Sequence, residues 1–161
     1  MANFKTEFYL KLILIISLVS IISAYFIEYV LGYQPCNLCL IERIPYGISI
    51  ILITLNYFFK KNEKFIILLL ILTFFFSFAI SAYHLGIEQG LFEESAVCGL
   101  KNTTGIISKE ELLKQLQEKP ISCKDVTFRI FGLSLTSINI LLSLILITLL
   151  TKIYISYEKN K

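Results

Sequence analysis

Four stretches of this chain contain no Asp, Glu, Lys or Arg: Leu12–Ile27, Ile44–Phe59, Phe65–Ile87 and Ile130–Thr151, of 16, 16, 23 and 22 residues. A helix that crosses a bilayer needs roughly 20 apolar residues. The third and fourth runs meet that length outright. The first two reach it because Lys11, Arg43 and Lys60 can snorkel and the tyrosine-rich flanks can lie in the interface. A soluble bundle would need polar faces at helical spacing, and these runs are apolar all round. The 56% apolar content, the mean hydropathy of +0.74 and the lack of Trp agree. The expectation is an all-α membrane protein, a four-transmembrane-helix bundle. Residues 1–161 form a single membrane domain, with spans about 12–29, 44–59, 65–87 and 130–151 and outer loops about 30–43 and 88–129.

The charges orient the spans. An even number of crossings puts both termini on one side, together with the short segment "KKNEK" at Lys60–Lys64. Eight lysines fall there: Lys5, Lys11, Lys60, Lys61, Lys64, Lys152, Lys159 and Lys161. Nine of the twelve acids fall on the other side. Lys and Arg favour the cytoplasm, so both termini are expected inside. The net charge of +3 therefore reflects topology and points to membrane lipid, with no nucleic-acid partner. A cleaved signal peptide is the weaker reading of the first run, because the run exceeds the usual apolar core and "ISAYFIEY" is a poor cleavage site.

That topology gathers Cys36, Cys39, Cys98 and Cys123 on the non-cytoplasmic side. Thiols there oxidise and stay oxidised, so four of them read as two disulfides. Three connectivities satisfy the count, and proximity in sequence favours Cys36–Cys39 with Cys98–Cys123. The second outer loop carries "SKEELLKQLQEK" at Ser108–Lys119, which reads as a short amphipathic surface helix. Ser108 caps it with Glu111 as capping-box partner, Leu112, Leu113 and Leu116 share a face, and Pro120 ends it.

The segment "YQPCNLCLIERIPYG", Tyr33–Gly47, concentrates the chemistry. Cys39 is expected in or just before the first turn of the second span, where free amides and the helix dipole favour a thiolate. Arg43 would lie one turn further on the same face and stabilise an anion beside that sulfur, acting there more than in folding. A zinc clip is disfavoured on spacing: the other cysteines lie 25 apart, and the only histidine, His84, belongs to the third span. His84 and Glu88, at i and i+4, can face one side at the outer boundary, where an ionisable group is a functional candidate.

"PCNLCLIER", "YHLGIE", a cysteine-bearing loop and "CKDVTFRIFGLSLTSIN" together resemble the DsbB family of quinone-linked membrane oxidases, over about Leu12–Thr151. The resemblance implies that Cys36 and Cys39 are the quinone-side pair and that Cys98 and Cys123 face a DsbA-like thioredoxin-fold partner. It implies that Arg43, with Glu42, His84 and Glu88 beside it, meets the quinone, ubiquinone or menaquinone. It further implies a bacterial inner (cytoplasmic) membrane setting and a relay from partner to Cys98–Cys123, then to Cys36–Cys39, then to the quinone pool. Cys98, followed by Gly99 and a polar run, is expected to be exposed and to take the partner first. Two other readings stand beside this one. A vitamin-K-epoxide-reductase-like enzyme is disfavoured because the C-x-x-C directly follows the first span. A non-catalytic membrane adaptor would hold static disulfides.

Overall fold

A computed structural model describes residues 2–58, 63–94, 98, 122–124, 128–130 and 132–159. Helix α1 runs Ala2–Tyr29, α2 Asn37–Ile41, α3 Ile44–Phe58 and α4 Glu63–Glu88. A two-residue ribbon follows, β1 Arg129–Ile130 antiparallel to β2 Leu133–Ser134, and then α5, Leu135–Lys159. Among the described residues, four helical stretches are long and apolar enough to cross a membrane: Thr6–Tyr29, Asn37–Phe58, Glu63–Glu88 and Leu135–Tyr157. The chain is a multi-pass, four-helix membrane protein. The surface helix expected at Ser108–Lys119 lies outside the described residues.

The second span begins earlier than its charge-free run suggests. Its first turn is α2, which carries both the C-x-x-C and Glu42 as C-cap. Pro45, in the first turn of α3, has no amide to donate and would crowd the carbonyl four residues back, so the helix breaks after Ile41 and resumes at Ile44. The fourth span begins later, because Arg129–Ile130 pairs with Leu133–Ser134 as the ribbon, with Gly132 at φ +83° between them. That left-handed conformation is open to glycine at little cost.

The longest interface joins α4 to α5, with α1 on α3 and α3 on α4. Their shared core contains Leu10, Ile13, Ile53, Ile67, Leu70, Phe74, Leu146 and Leu150, all essentially inaccessible. Phe8, Ile15, Phe58, Phe75, Phe76 and Leu141 point outward and are more than half exposed, as residues facing lipid must be. Small hydroxyls bind the helices across their contacts. Ser49 donates to Ser17 at 2.8 Å and Ser143 to Ser77 at 3.2 Å, all four fully buried. Small residues allow close helix approach within a bilayer, where hydrophobicity no longer drives association.

Candidate functional site

The site sits at the end of the bundle where α2, the end of α4 and the start of α5 meet. Cys36 is the N-cap of α2, and the backbone N–H of Cys39 donates to its sulfur at 3.4 Å. The two sulfurs stand 2.9 Å apart as free thiols. The sequence led us to expect the helix start to favour charge on Cys39. Instead the cap position belongs to Cys36. Cys36 stands one residue ahead of the second span, and its pKa is pushed down to about 5. The largest cause is the hydrogen bond from the Cys39 thiol. His84 and the Cys39 amide help, and burial opposes.

His84, only 2% exposed, brings α4 into the site. Its Nε2 lies 3.6 Å from the Cys36 sulfur and its Nδ1 lies 2.8 Å from Glu42 Oε1. The carboxylate holds the proton on Nδ1 and leaves Nε2 facing the thiol. This is the geometry of a nucleophile, a base and a group that orients the base. Glu88 is brought in as well, with Oε1 3.9 Å from Nε2 and accepting from the Thr136 hydroxyl at 2.5 Å.

Sequence reasoning missed the groups supplied by α5 and α1. Asn139 donates from Nδ2 to Glu42 at 3.1 Å and to Ser81 at 2.7 Å, and its Oδ1 accepts from the Tyr46 hydroxyl. Thr136 lies 3.3 Å from His84 Nδ1. The available signal was an amide and three hydroxyls inside "LSLTSIN", an apolar run where such groups need buried partners. Glu28, at the end of α1, holds Arg43 in an ion pair of 2.5 Å, and the guanidinium also lies 5.2 Å from the Tyr25 ring centroid. Arg43, expected to act on an anion more than in folding, thereby also links α1 to the break between α2 and α3.

The second cysteine pair is a disulfide. Cys98 and Cys123 are joined with their Cα atoms 5.8 Å apart. Glu94 accepts from the Ser122 hydroxyl and from the Lys124 amide at 3.1 Å, fastening this segment beside the end of α4. The expected exposure of Cys98 does not occur: Cys98 is 4% and Cys123 2% accessible. Both pack in one cluster with Cys36, Leu38 and Ile87, so apolar neighbours distant in sequence cover what the polar local sequence seemed to leave open.

A cavity of about 360 Å³ joins these parts. Its apolar wall comes from α1 and α5, and Cys36, Cys39, Glu42, Arg43, His84, Glu88 and Cys123 all reach it. Tyr33 and Phe128, with ring centroids 4.9 Å apart, also line it.

Two cysteine pairs packed together, one oxidised and one reduced beside a buried imidazole, define a membrane protein of thiol–disulfide chemistry. Comparison with known proteins agrees. The family model of disulfide bond formation protein DsbB matches residues 6–153, and the chain belongs to that family. It is also similar to the uncharacterized protein RP370 of Rickettsia prowazekii (strain Madrid E), with 32% identity over 156 residues, covering 94% of this chain and 90% of that protein. No solved structure matches the chain. The family implies a role as a disulfide oxidoreductase.

Proposed function

We propose that this protein reoxidises a DsbA-like thioredoxin-fold partner and hands the electrons to quinone in a bacterial cytoplasmic membrane, with its termini inside and its cysteines in the periplasm. The observation that carries the reading is the single cavity reached by both Cys36 and Cys39, by Cys123 and by the His84–Glu42 pair. The lysine-rich termini support the orientation. The whole chain acts as one membrane domain.

Two exchanges move the electrons. A partner thiolate attacks the Cys98–Cys123 disulfide, forms a mixed disulfide at Cys98 and releases Cys123 as a thiolate. The second partner thiol resolves that bond, leaving the partner oxidised and the loop pair reduced. A loop thiolate then attacks Cys36 of an oxidised Cys36–Cys39 pair and releases Cys39, and closure of the loop disulfide leaves Cys36 and Cys39 reduced. Because Cys98 is buried, its attack requires the loop pair to part from Leu38 and Ile87. The reduced pair manages its own protons: the Cys39 thiol donates to the Cys36 thiolate, and His84 Nε2, beside that sulfur and backed by Glu42, is placed to hold the proton that Cys36 gives up.

The cavity suits a flat, lipophilic acceptor, being mostly hydrocarbon-walled with Arg43, His84 and Asn139 among its polar lining, within the usual size range of about 300–1,000 Å³. A bound quinone supplies the two-electron, two-proton sink. Arg43, His84, Glu42 and Glu88 are the residues that would hold it. The test mixes purified protein, a reduced thioredoxin-fold partner and a quinone, and follows quinone absorbance. We expect steady reduction that falls to background in Cys39→Ser. Normal turnover in that variant would sink the relay.

A further inference from the structure

We propose that the reduced Cys36–Cys39 pair and His84 together form a binding site for a thiophilic divalent cation such as Zn²⁺, a site that exists only while the pair is a dithiol. The three candidate ligand atoms lie within 4.8 Å of one another. Zinc takes sulfur at about 2.3 Å and imidazole nitrogen at about 2.0–2.1 Å, which in a tetrahedron sets sulfur and nitrogen roughly 3.5 Å apart and two sulfurs roughly 3.8 Å apart. The Cys36–His84 separation of 3.6 Å already meets this, and the sulfurs at 2.9 Å need only part slightly. The spacing argument against a metal clip fails because the third ligand arrives from α4 and not from a second cysteine pair.

A second, independent feature supports the site. Glu42 Oε1, 2.8 Å from Nδ1, keeps the Nε2 lone pair pointed at the sulfurs. A carboxylate behind a ligating histidine in this way is the usual outer partner of a zinc-bound imidazole. All three ligands reach the cavity, so the fourth coordination position faces open space. Such a site, with three protein ligands, exchanges its metal more readily than a closed structural one.

Binding releases the protons still held by the two thiols and leaves the sulfur oxidation state unchanged. A disulfide has no thiolate to offer, so metal and disulfide exclude each other. The cation therefore arrests the pair in its reduced form, and a chelator restores it. This inference does not depend on which partner or electron acceptor the protein serves.

The experiment uses the full-length Cys98→Ser/Cys123→Ser protein in detergent, reduced with a phosphine and kept anaerobic, with Co²⁺ as the probe. We expect one equivalent to bind with sulfur-to-cobalt charge-transfer bands and tetrahedral visible bands. Zn²⁺ should displace it, and oxidation should abolish it. Glu42→Gln should weaken binding about 10–100-fold, and His84→Gln should weaken it further and shift the visible bands. No thiolate band in the reduced protein, or an unchanged band and affinity in His84→Gln, would overturn the site. If His84→Gln fails to fold, X-ray absorption of the zinc-loaded protein decides: two sulfurs and one imidazole support the site, and a shell without imidazole refutes it.

Discussion

The two ends of this bundle are built on opposite terms. Toward one end, Leu10, Ile13, Ile67, Phe74, Leu146 and Leu150 meet hydrocarbon to hydrocarbon, and no member depends on a single partner. At the cysteine end, His84, Glu42 and Thr136 are withdrawn from solvent and linked to one another and to the half-buried Asn139. A buried polar group that loses its partner costs about 1–3 kcal/mol. The cysteine end is therefore costly to keep assembled, and the apolar end supplies the stability that permits it. The apolar end should consequently respond to substitution in stability, and the cysteine end in rate.

Phe74→Ala should produce the largest change. Phe74 is fully buried and meets Tyr46 edge-on at 5.8 Å, so truncation should cost about 3–5 kcal/mol in detergent unfolding, with turnover per folded molecule preserved. A large loss of turnover in the folded fraction would erase the division between the ends. His84→Gln should do the reverse, since a positioned base contributes about 10²–10⁴-fold. We expect a hundredfold slower oxidation of the partner and little change in the unfolding midpoint. An unaltered rate would mean that thiol protons leave by another route.

A pH series sharpens the contrast. With Cys36 pushed down to about 5, the reduced protein in chelator should keep its ultraviolet thiolate absorbance from neutral pH to near that value. A depressed pKa stabilises the fold fully above the ordinary thiol value of about 8.5, and this stabilisation is lost as pH falls through the folded one. Midpoints of the reduced form should thus drop between those limits while those of the oxidised form do not. Loss of absorbance already near the ordinary value would show that the cap and His84 do not hold a thiolate. The smallest effect belongs to Ser143→Ala, which removes one interhelical hydrogen bond and should cost about 0.6 kcal/mol in the same unfolding assay. A loss of several kcal/mol would make the serine contacts part of the principal core.

The spans were legible because a bilayer penalises every charge, so their absence over a long run is itself the signal. Cys36, Cys39, His84 and Glu88 were legible as residue types placed at the boundary. Asn139 was not, since one amide hardly changes the hydropathy of α5 and its partner Glu42 lies 97 positions away. The burial of Cys98 was hidden for a related reason: local sequence describes chain neighbours, while Leu38 and Ile87 come from other elements. Arg43 shares the cavity lining with the cysteines, but the helix breaks between it and Cys39, and its partner Glu28 is a lone acid at the end of α1 that carries no motif.

In the proposed relay, packing the loop disulfide against Cys36 raises the effective concentration for the step between the pairs. Cys123 and Cys36 occupy one buried cluster and reach one cavity, so neither sulfur has to find the other by diffusion. Well-oriented intramolecular groups can act at effective concentrations of about 10⁵–10⁸ M. In the proposed relay an exchange between the pairs, both carried on one chain, would be first order and indifferent to how sparsely the protein is scattered through its membrane. Only the encounters with outside donors and acceptors remain sensitive to abundance.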